Sequence, residues 1–289
     1  MSDSAKPRTV PSSGPHPAPP QEHHPRLVAH GLSLAYDRRV VVHDLDLEVQ
    51  HERVTVIVGA NGCGKSTLLR GLGRLMRPVA GRVTLDGEDI RSLHTRRVAS
   101  MLGLLPQQPM APEGITVADL VGRGRHPHHG LLRRWTAADE EAVAHALAAT
   151  GVQDLAARRV EELSGGQRQR IWVAMMLAQD PAILLLDEPT TYLDIAHQVE
   201  VLDLLAHLNQ DRGTTVAMVL HDLQLGARYA DHLVVMAEGR VLRQGSPAEV
   251  LTPDVVRAAF GLEAVVTPDP VTGSPMVVPG VRPPERVLG

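Results

Sequence analysis

The run Gly59-Ala60-Asn61-Gly62-Cys63-Gly64-Lys65-Ser66-Thr67 has the residue types and order that triphosphate binding requires. A phosphate chain is held by many N–H donors at short range. Glycines let the backbone curl around it without Cβ clashes, and a helix beginning after them directs its first amides and positive dipole end at the same anion. In the pattern G-x-x-x-x-G-K-[ST], Lys65 is placed to reach the β- and γ-phosphates and the Ser66 hydroxyl to ligate Mg²⁺. A Gly-rich turn with a surface lysine is the plainer alternative. The strand-like run Arg53 to Val58 before the glycines and the helix-like run Leu68 to Met76 after them argue against it.

Two further groupings carry chemistry. Leu163-Ser164-Gly165-Gly166-Gln167 precedes a long helical segment, Arg168 to Gln179. Ser164 can cap that helix in the ordinary way, or its hydroxyl and the neighbouring amides can form a second anion site. Ile183-Leu184-Leu185-Leu186-Asp187-Glu188 places two carboxylates at the end of a buried strand, which aims both rigidly toward the phosphate loop. Cys63 fills a variable position of that loop. It reads as filler there; the alternative is a site of oxidation or alkylation, favoured by the nearby Lys65 and the helix start, which act to lower its pKa. The run His126-Pro127-His128-His129 has poor spacing for a structural metal site and reads as a solvated loop.

These residues need a scaffold, and the chain supplies an α/β one. Ile183 to Leu186 and Val216 to Leu220 are continuous apolar runs alternating with helical segments, as in parallel strands covered on both faces. Short apolar bursts from Leu27 to Val49, turning at Tyr36-Asp37-Arg38-Arg39, and the hairpin Gly81 to Ile90, turning at Asp86-Gly87, predict an antiparallel flank. From Met110 to Glu162 an Ala-rich helical texture, with a capping box at Thr136 and Asp139 and a stop at Gly151, predicts an inserted helical subdomain. The expected division is a Pro- and His-rich disordered tail over 1–25, a nucleotide-binding domain over 26–265 with its helical subdomain at about 108–178, and a loosely packed tail over 266–289. A net charge of −4 and a pI near 6.4 disfavour nucleic acid as a partner. With one cysteine an internal disulfide is excluded, and the chain shows neither the apolar core of a secretory signal nor a spanning run of about eighteen apolar residues.

With phosphate loop, Ser164 motif and acidic strand end in this order, the chain resembles the ATP-binding cassette ATPases, a P-loop NTPase family that uses ATP and Mg²⁺. The resemblance implies a head-to-tail homodimer in which Ser164, Gly165, Gly166 and Gln167 bind the γ-phosphate held by the opposite subunit. It implies that Asp187 holds Mg²⁺ through water and that Glu188 is the general base. Gln107 matches a loop glutamine touching Mg²⁺ and water, with Gln108 a rival by one position. Asp194 matches the loop that contacts the partner, His221 the histidine that bonds the γ-phosphate, and Tyr36 the aromatic that stacks on adenine. Pro112 to Pro127, Asp187 to Gln198 and His221-Asp222-Leu223 resemble the cassette subunits of iron-siderophore importers, with haem and vitamin B12 importers as near relatives. This implies two copies at the cytoplasmic face of the membrane, docked under two permease subunits supplied by an extracytoplasmic binding protein. A soluble cassette ATPase acting on nucleic acid or the ribosome is the rival. It lacks support, because no long coiled coil stands between Gln107 and Leu163 and no second cassette follows.

Overall fold

The structure is a computed structural model and describes residues 26–129 and 135–280. The expected N-terminal tail lies outside the described residues.

The chain opens with the hairpin β1 (Leu27–Tyr36) and β2 (Arg39–Val49), turning at Asp37 with φ 52°. β3 (Val54–Gly59) and α1 (Lys65–Leu72) follow as strand and helix around the phosphate loop. Next come β4 (Ala80–Leu85) and the short β5 (Glu88–Asp89), joined by Asp86 and Gly87 at φ 50° and 82°. Two positive φ values in a two-residue turn match the twist of the flanking strands. β1, β2, β4 and β5 form the expected antiparallel flank, in the order β2-β1-β4-β5.

α2 (Thr95–Met101) leads into β6 (Leu102–Leu105), after which the chain turns helical. α3 (Val117–Gly122) continues into a 3₁₀ helix (Arg123–His128), followed by α4 (Ala137–Ala149) and α5 (Gly165–Gln179). α4 begins with the reciprocal Thr136 and Asp139 capping box and ends two residues before Gly151, at φ 63°, as its sequence requires.

β7 (Ile183–Asp187), α6 (Ile195–Arg212), β8 (Thr215–Val219), α7 (Leu223–Tyr229), β9 (His232–Ala237) and β10 (Arg240–Gly245) complete the central sheet. Its order is β10-β9-β3-β8-β7-β6, parallel throughout except for β9 with β10. Every residue of β3, β7 and β8 is buried. Alternate side chains serve two cores: Val56, Leu184 and Met218 pack toward α5 and α6, whereas Ile57, Leu185 and Ala217 pack with α1 and the antiparallel flank. Leu68, Leu69 and Leu72 of α1 lie in that second core, so the helix after the phosphate loop is clamped between two sheets. Each such leucine contributes roughly 2 kcal/mol by burial.

Beyond α8 (Pro247–Val250) and α9 (Pro253–Phe260), the structure corrects the expectation of a loose C-terminal tail. β11 (Ala264–Pro268) and β12 (Pro275–Pro279) pair in register from Ala264 with Pro279 to Pro268 with Pro275, so the boundary expected at 265 falls inside a strand. Val277 is buried in the main core beside α7. The prolines stand at the ends of these strands, where a missing N–H costs nothing, and so mark the limits of a hairpin rather than loose chain.

Candidate functional site

β3 and α1 shape a cradle between them. Gly64 precedes α1 at φ 103°, and no side chain caps the helix, so its first amides are not taken by a capping residue. A Cβ at Gly64 would press on the Val41 carbonyl at 3.1 Å, and one at Gly59 would collide with the Met236 carbonyl. Both positions therefore need glycine for close backbone approach as well as for curvature. Lys65 is buried, and its Nζ donates to the carbonyls of Gly59 at 2.8 Å and Ala60 at 3.0 Å. The ammonium thus braces the loop from inside with two N–H groups and keeps a third for a ligand.

The acidic end of β7 faces this cradle. Ser66 Oγ donates to Asp187 Oδ1 at 2.9 Å, joining the hydroxyl and the first carboxylate. Burial pushes the Asp187 carboxyl upward, the Ser66 hydrogen bond pulls it back, and the charge of Glu188 raises it again. A hydroxyl and a carboxylate in contact are hard oxygen donors suited to Mg²⁺, whose charge would hold Asp187 ionised. The amide oxygen of Gln107, close by, is a further donor of the same kind.

Glu188 is held at both oxygens. Gln107 Nε2 donates to Oε2 at 2.7 Å, Thr191 Oγ1 donates to the same oxygen at 3.0 Å, and His221 Nε2 lies 2.6 Å from Oε1. Its backbone is left-handed at φ 54°, which costs on the order of 1 kcal/mol for a residue other than glycine. The Glu188 N–H bond to the Val219 carbonyl, at 3.2 Å, helps to hold that conformation. The strain aims the carboxylate into the cleft instead of along the strand.

Cradle and Glu188 open on one cavity of about 830 Å³, lined among others by Tyr36, Asn61, Lys65, Gln107, Glu188 and His221; Asp187, bonded to Ser66, is not among its lining residues. Tyr36 forms an exposed wall at the end of β1, and its hydroxyl accepts from Arg70 Nη1 of α1 at 2.9 Å. Other lining residues escaped the sequence reading: Arg39 and His43 on β2, and Glu238-Gly239 between β9 and β10. The Glu-Gly dipeptide signals a turn, but only the fold lays it against the loop, where Gly239 N–H donates to the Cys63 carbonyl at 3.0 Å. Thr191 was also missed, since a hydroxyl in a loop gives no signal of a carboxylate beside it.

Ser164, Gly165, Gly166, Gln167 and Asp194 do not line this cavity. Gln167 N–H donates to Ser164 Oγ at 3.2 Å and Ser164 N–H to Gln167 Oε1 at 3.1 Å, a complete capping box. Gly165 and Gly166 lie against Tyr192 and Leu193, so the Ser164 turn and the Asp194 loop form one surface. Asp194 caps α6 and accepts from the backbone N–H of His197 at 2.9 Å, and that bond holds its carboxyl below the usual range. Tyr192 and Ile195 on this surface are 76% and 77% exposed.

Three of the expectations can be compared with the structure residue by residue. Gln107, not the exposed Gln108, meets Glu188. Cys63 is buried, and burial raises its pKa more than the Lys65 charge lowers it, which fits the filler reading and goes against the reactive alternative. The histidine run is not a solvated loop: it lies largely in the 3₁₀ helix, where His128 Nε2 bonds the Gln179 carbonyl at 2.6 Å and His129 lies 3.1 Å from the buried Asp139. Among the described residues no cluster of metal-binding side chains is found there or elsewhere, and no helix is long and apolar enough to cross a membrane.

Residues 42–191 match the family model described as ABC transporter. The chain is 52% identical over 251 residues to the "Probable siderophore transport system ATP-binding protein YusV" of Bacillus subtilis (strain 168), covering 87% of this chain and 91% of that protein. It is 50% identical over 254 residues to the ferric enterobactin transport ATP-binding protein FepC of Escherichia coli (strain K12), covering 88% and 94%. Among solved structures it is similar to the dimeric post-hydrolysis state of the ATP-binding cassette MJ0796 bound to ADP and Pi, with a TM-score of 0.68 and 25% identity over 76% of this chain and 98% of that one.

Proposed function

The chain belongs to the ABC transporter family, as an ATPase coupled to transport, and from that premise we propose that it powers uptake of a ferric siderophore. Tyr36 stacks on the base, and the Gly59 to Thr67 loop with α1 receives the phosphates. Ser66, Asp187 and the amide oxygen of Gln107 hold Mg²⁺, which when bound offsets the charge on the β- and γ-phosphate oxygens. Glu188 accepts the proton of the attacking water, oriented by Gln107 and Thr191, while His221 turns from Glu188 to the γ-phosphate. Charge builds on the transferring phosphoryl group, so an additional donor opposite it stabilises the transition state. Ser164 of a second copy supplies that donor, with the Asp194 loops meeting across the pair.

The observation that carries this reading is the composition of the cavity. It gathers Lys65, Ser66, Gln107, Glu188 and His221 around one space and leaves Ser164 outside. A site complete but for one wall, in a chain whose Ser164 surface exposes apolar side chains, calls for a head-to-tail pair. The pair docks at the cytoplasmic face under two permease subunits, and a binding protein outside delivers the chelate. The two siderophore-transport relatives support iron chelates over haem or cobalamin.

The test is uptake of labelled ferric siderophore in cells lacking this chain, complemented with wild type or Glu188→Gln. Wild type should restore uptake and the variant should not. Restoration by both, or restored cobalamin or haem uptake without siderophore uptake, would overturn the assignment.

A further inference from the structure

α5 carries the Ser164 turn at one end and a dense polar node at the other. Gln179, its last residue, is buried, and its Nε2 donates to the carbonyls of Ala99 at 2.7 Å and Leu102 at 3.1 Å. Those carbonyls belong to the end of α2 and the first residue of β6. The 3₁₀ helix is fastened to the same point: Arg125 Nη1 donates to the Ala178 carbonyl at 2.7 Å, His128 bonds the Gln179 carbonyl, and Gly124 packs so tightly that a Cβ would strike the Met175 carbonyl.

Among the described residues, β6 is the edge strand of the central sheet, paired only with β7. From its base, held by Gln179, it runs in register with β7 to Leu105, opposite Leu186, and delivers Gln107 beside Glu188. A helix of this length is a stiff strut of about 22 Å. Displacement of its Ser164 end is therefore conveyed to its Gln179 end, and from there to the strand that places Gln107.

We propose that Gln179 is a positioning residue that couples the Ser164 turn, and so the nucleotide on the partner copy, to Gln107 and Glu188 of its own site. The coupling rests on the reading of Ser164 as the donor to the partner's phosphate. Its physical basis is that both N–H groups of one buried amide tie the end of α5 to the base of β6, whose other edge has no neighbouring strand.

The experiment is steady-state hydrolysis by the full-length chain as a function of ATP. Wild type should be sigmoidal with a Hill coefficient approaching about 2, the limit for two coupled sites. Gln179→Met keeps the length of the side chain and removes both donors. Its Hill coefficient should fall to about 1 and its kcat by about 10-fold, with monomer nucleotide affinity within about two-fold of wild type. Ile171→Val removes a buried methyl from the same helix away from the node and should lower stability while preserving the Hill coefficient. If Gln179→Met does not fold, Gln179→Asn, with the amide on a shorter stem, should show the same loss in part. Cooperativity and kcat unchanged in the Gln179 variants, or lost equally in Ile171→Val, would overturn the coupling. A non-cooperative wild type whose turnover survives Ser164→Arg would instead remove the paired site, and the coupling with it.

Discussion

α1 and α5 both begin at glycine-rich, phosphate-type turns, and their N-termini are prepared in opposite ways. At α1 the residue before the helix is Gly64 in a left-handed conformation, no side chain caps the amides, and Lys65 is pinned to the loop carbonyls. At α5, Ser164 and Gln167 satisfy each other in a capping box, and the turn lies on an exposed surface with Tyr192. The first terminus is preorganised for an anion by its own chain. The second is stable without one: Ser164 Oγ accepts from the Gln167 N–H and keeps its O–H to donate to a ligand. The cap contributes about 1 kcal/mol. That is large enough to keep the turn formed before a ligand arrives. The difference teaches that a glycine-rich helix start can be left open or closed on itself by a capping box.

The comparison breaks most visibly at the acids facing α1. Glu188→Gln keeps the hydrogen-bonding shape but cannot take a proton, so hydrolysis should fall about 100-fold or more while ATP is still bound and dimers accumulate. Turnover close to wild type in a phosphate-release assay would remove Glu188 from its role as base. Ser164→Arg places bulk and charge on the other helix end. Hydrolysis should drop by about 30-fold with the ATP affinity of the monomer unchanged, and an equal loss of monomer affinity in a nucleotide titration would show that the two ends are not divided as described.

Smaller effects sharpen the same contrast. Tyr36→Ala should raise the dissociation constant for ATP by about 10-fold, roughly 1.4 kcal/mol of stacking, and leave kcat at saturating ATP within about two-fold. An unchanged dissociation constant by calorimetry dismisses the stacking wall. Asp139 lies in neither site and should separate stability from catalysis. Its hydrogen bond to Thr136, with further bonds to Arg125 and His129, holds its carboxyl far below the usual range. A depressed folded pKa stabilises the protein above the unfolded value of about 4, and this contribution is lost as pH falls below it. Asp139→Asn should therefore cost about 2 kcal/mol near neutrality and less in acid, measured by denaturant unfolding at two pH values, with KM for ATP unaltered. The same loss at both pH values would show that charge plays no part there.

Much of the site was legible in residue types because its chemistry is local. A phosphate loop needs its glycines, lysine and hydroxyl in one short run, and a buried strand ending in Asp187-Glu188 declares itself by being apolar until its last two residues. Gln107 was legible only to within one position, because polar neighbours in a loop look alike until the backbone points one of them at Glu188. The histidine run misled for a related reason. A short polar stretch suggested a wet loop, whereas its packing against the end of α5 governs its structure. The C-terminal hairpin was misjudged because proline content was weighed without regard to where the prolines fall in a two-stranded register.

The sequence by itself determined the ligand class, the order of the sheet-forming runs, the capping of α4 and the strand and helix that flank the phosphate loop, since each follows from a pattern within a few residues. Only the tertiary structure decided that β2 and the Glu238-Gly239 turn wall the cavity, that Ser164 faces away from it, and that Gln179 ties α5 to β6. Those relations join segments distant along the chain, and side-chain type alone does not specify which buried amide meets which carbonyl once the strands and helices have packed.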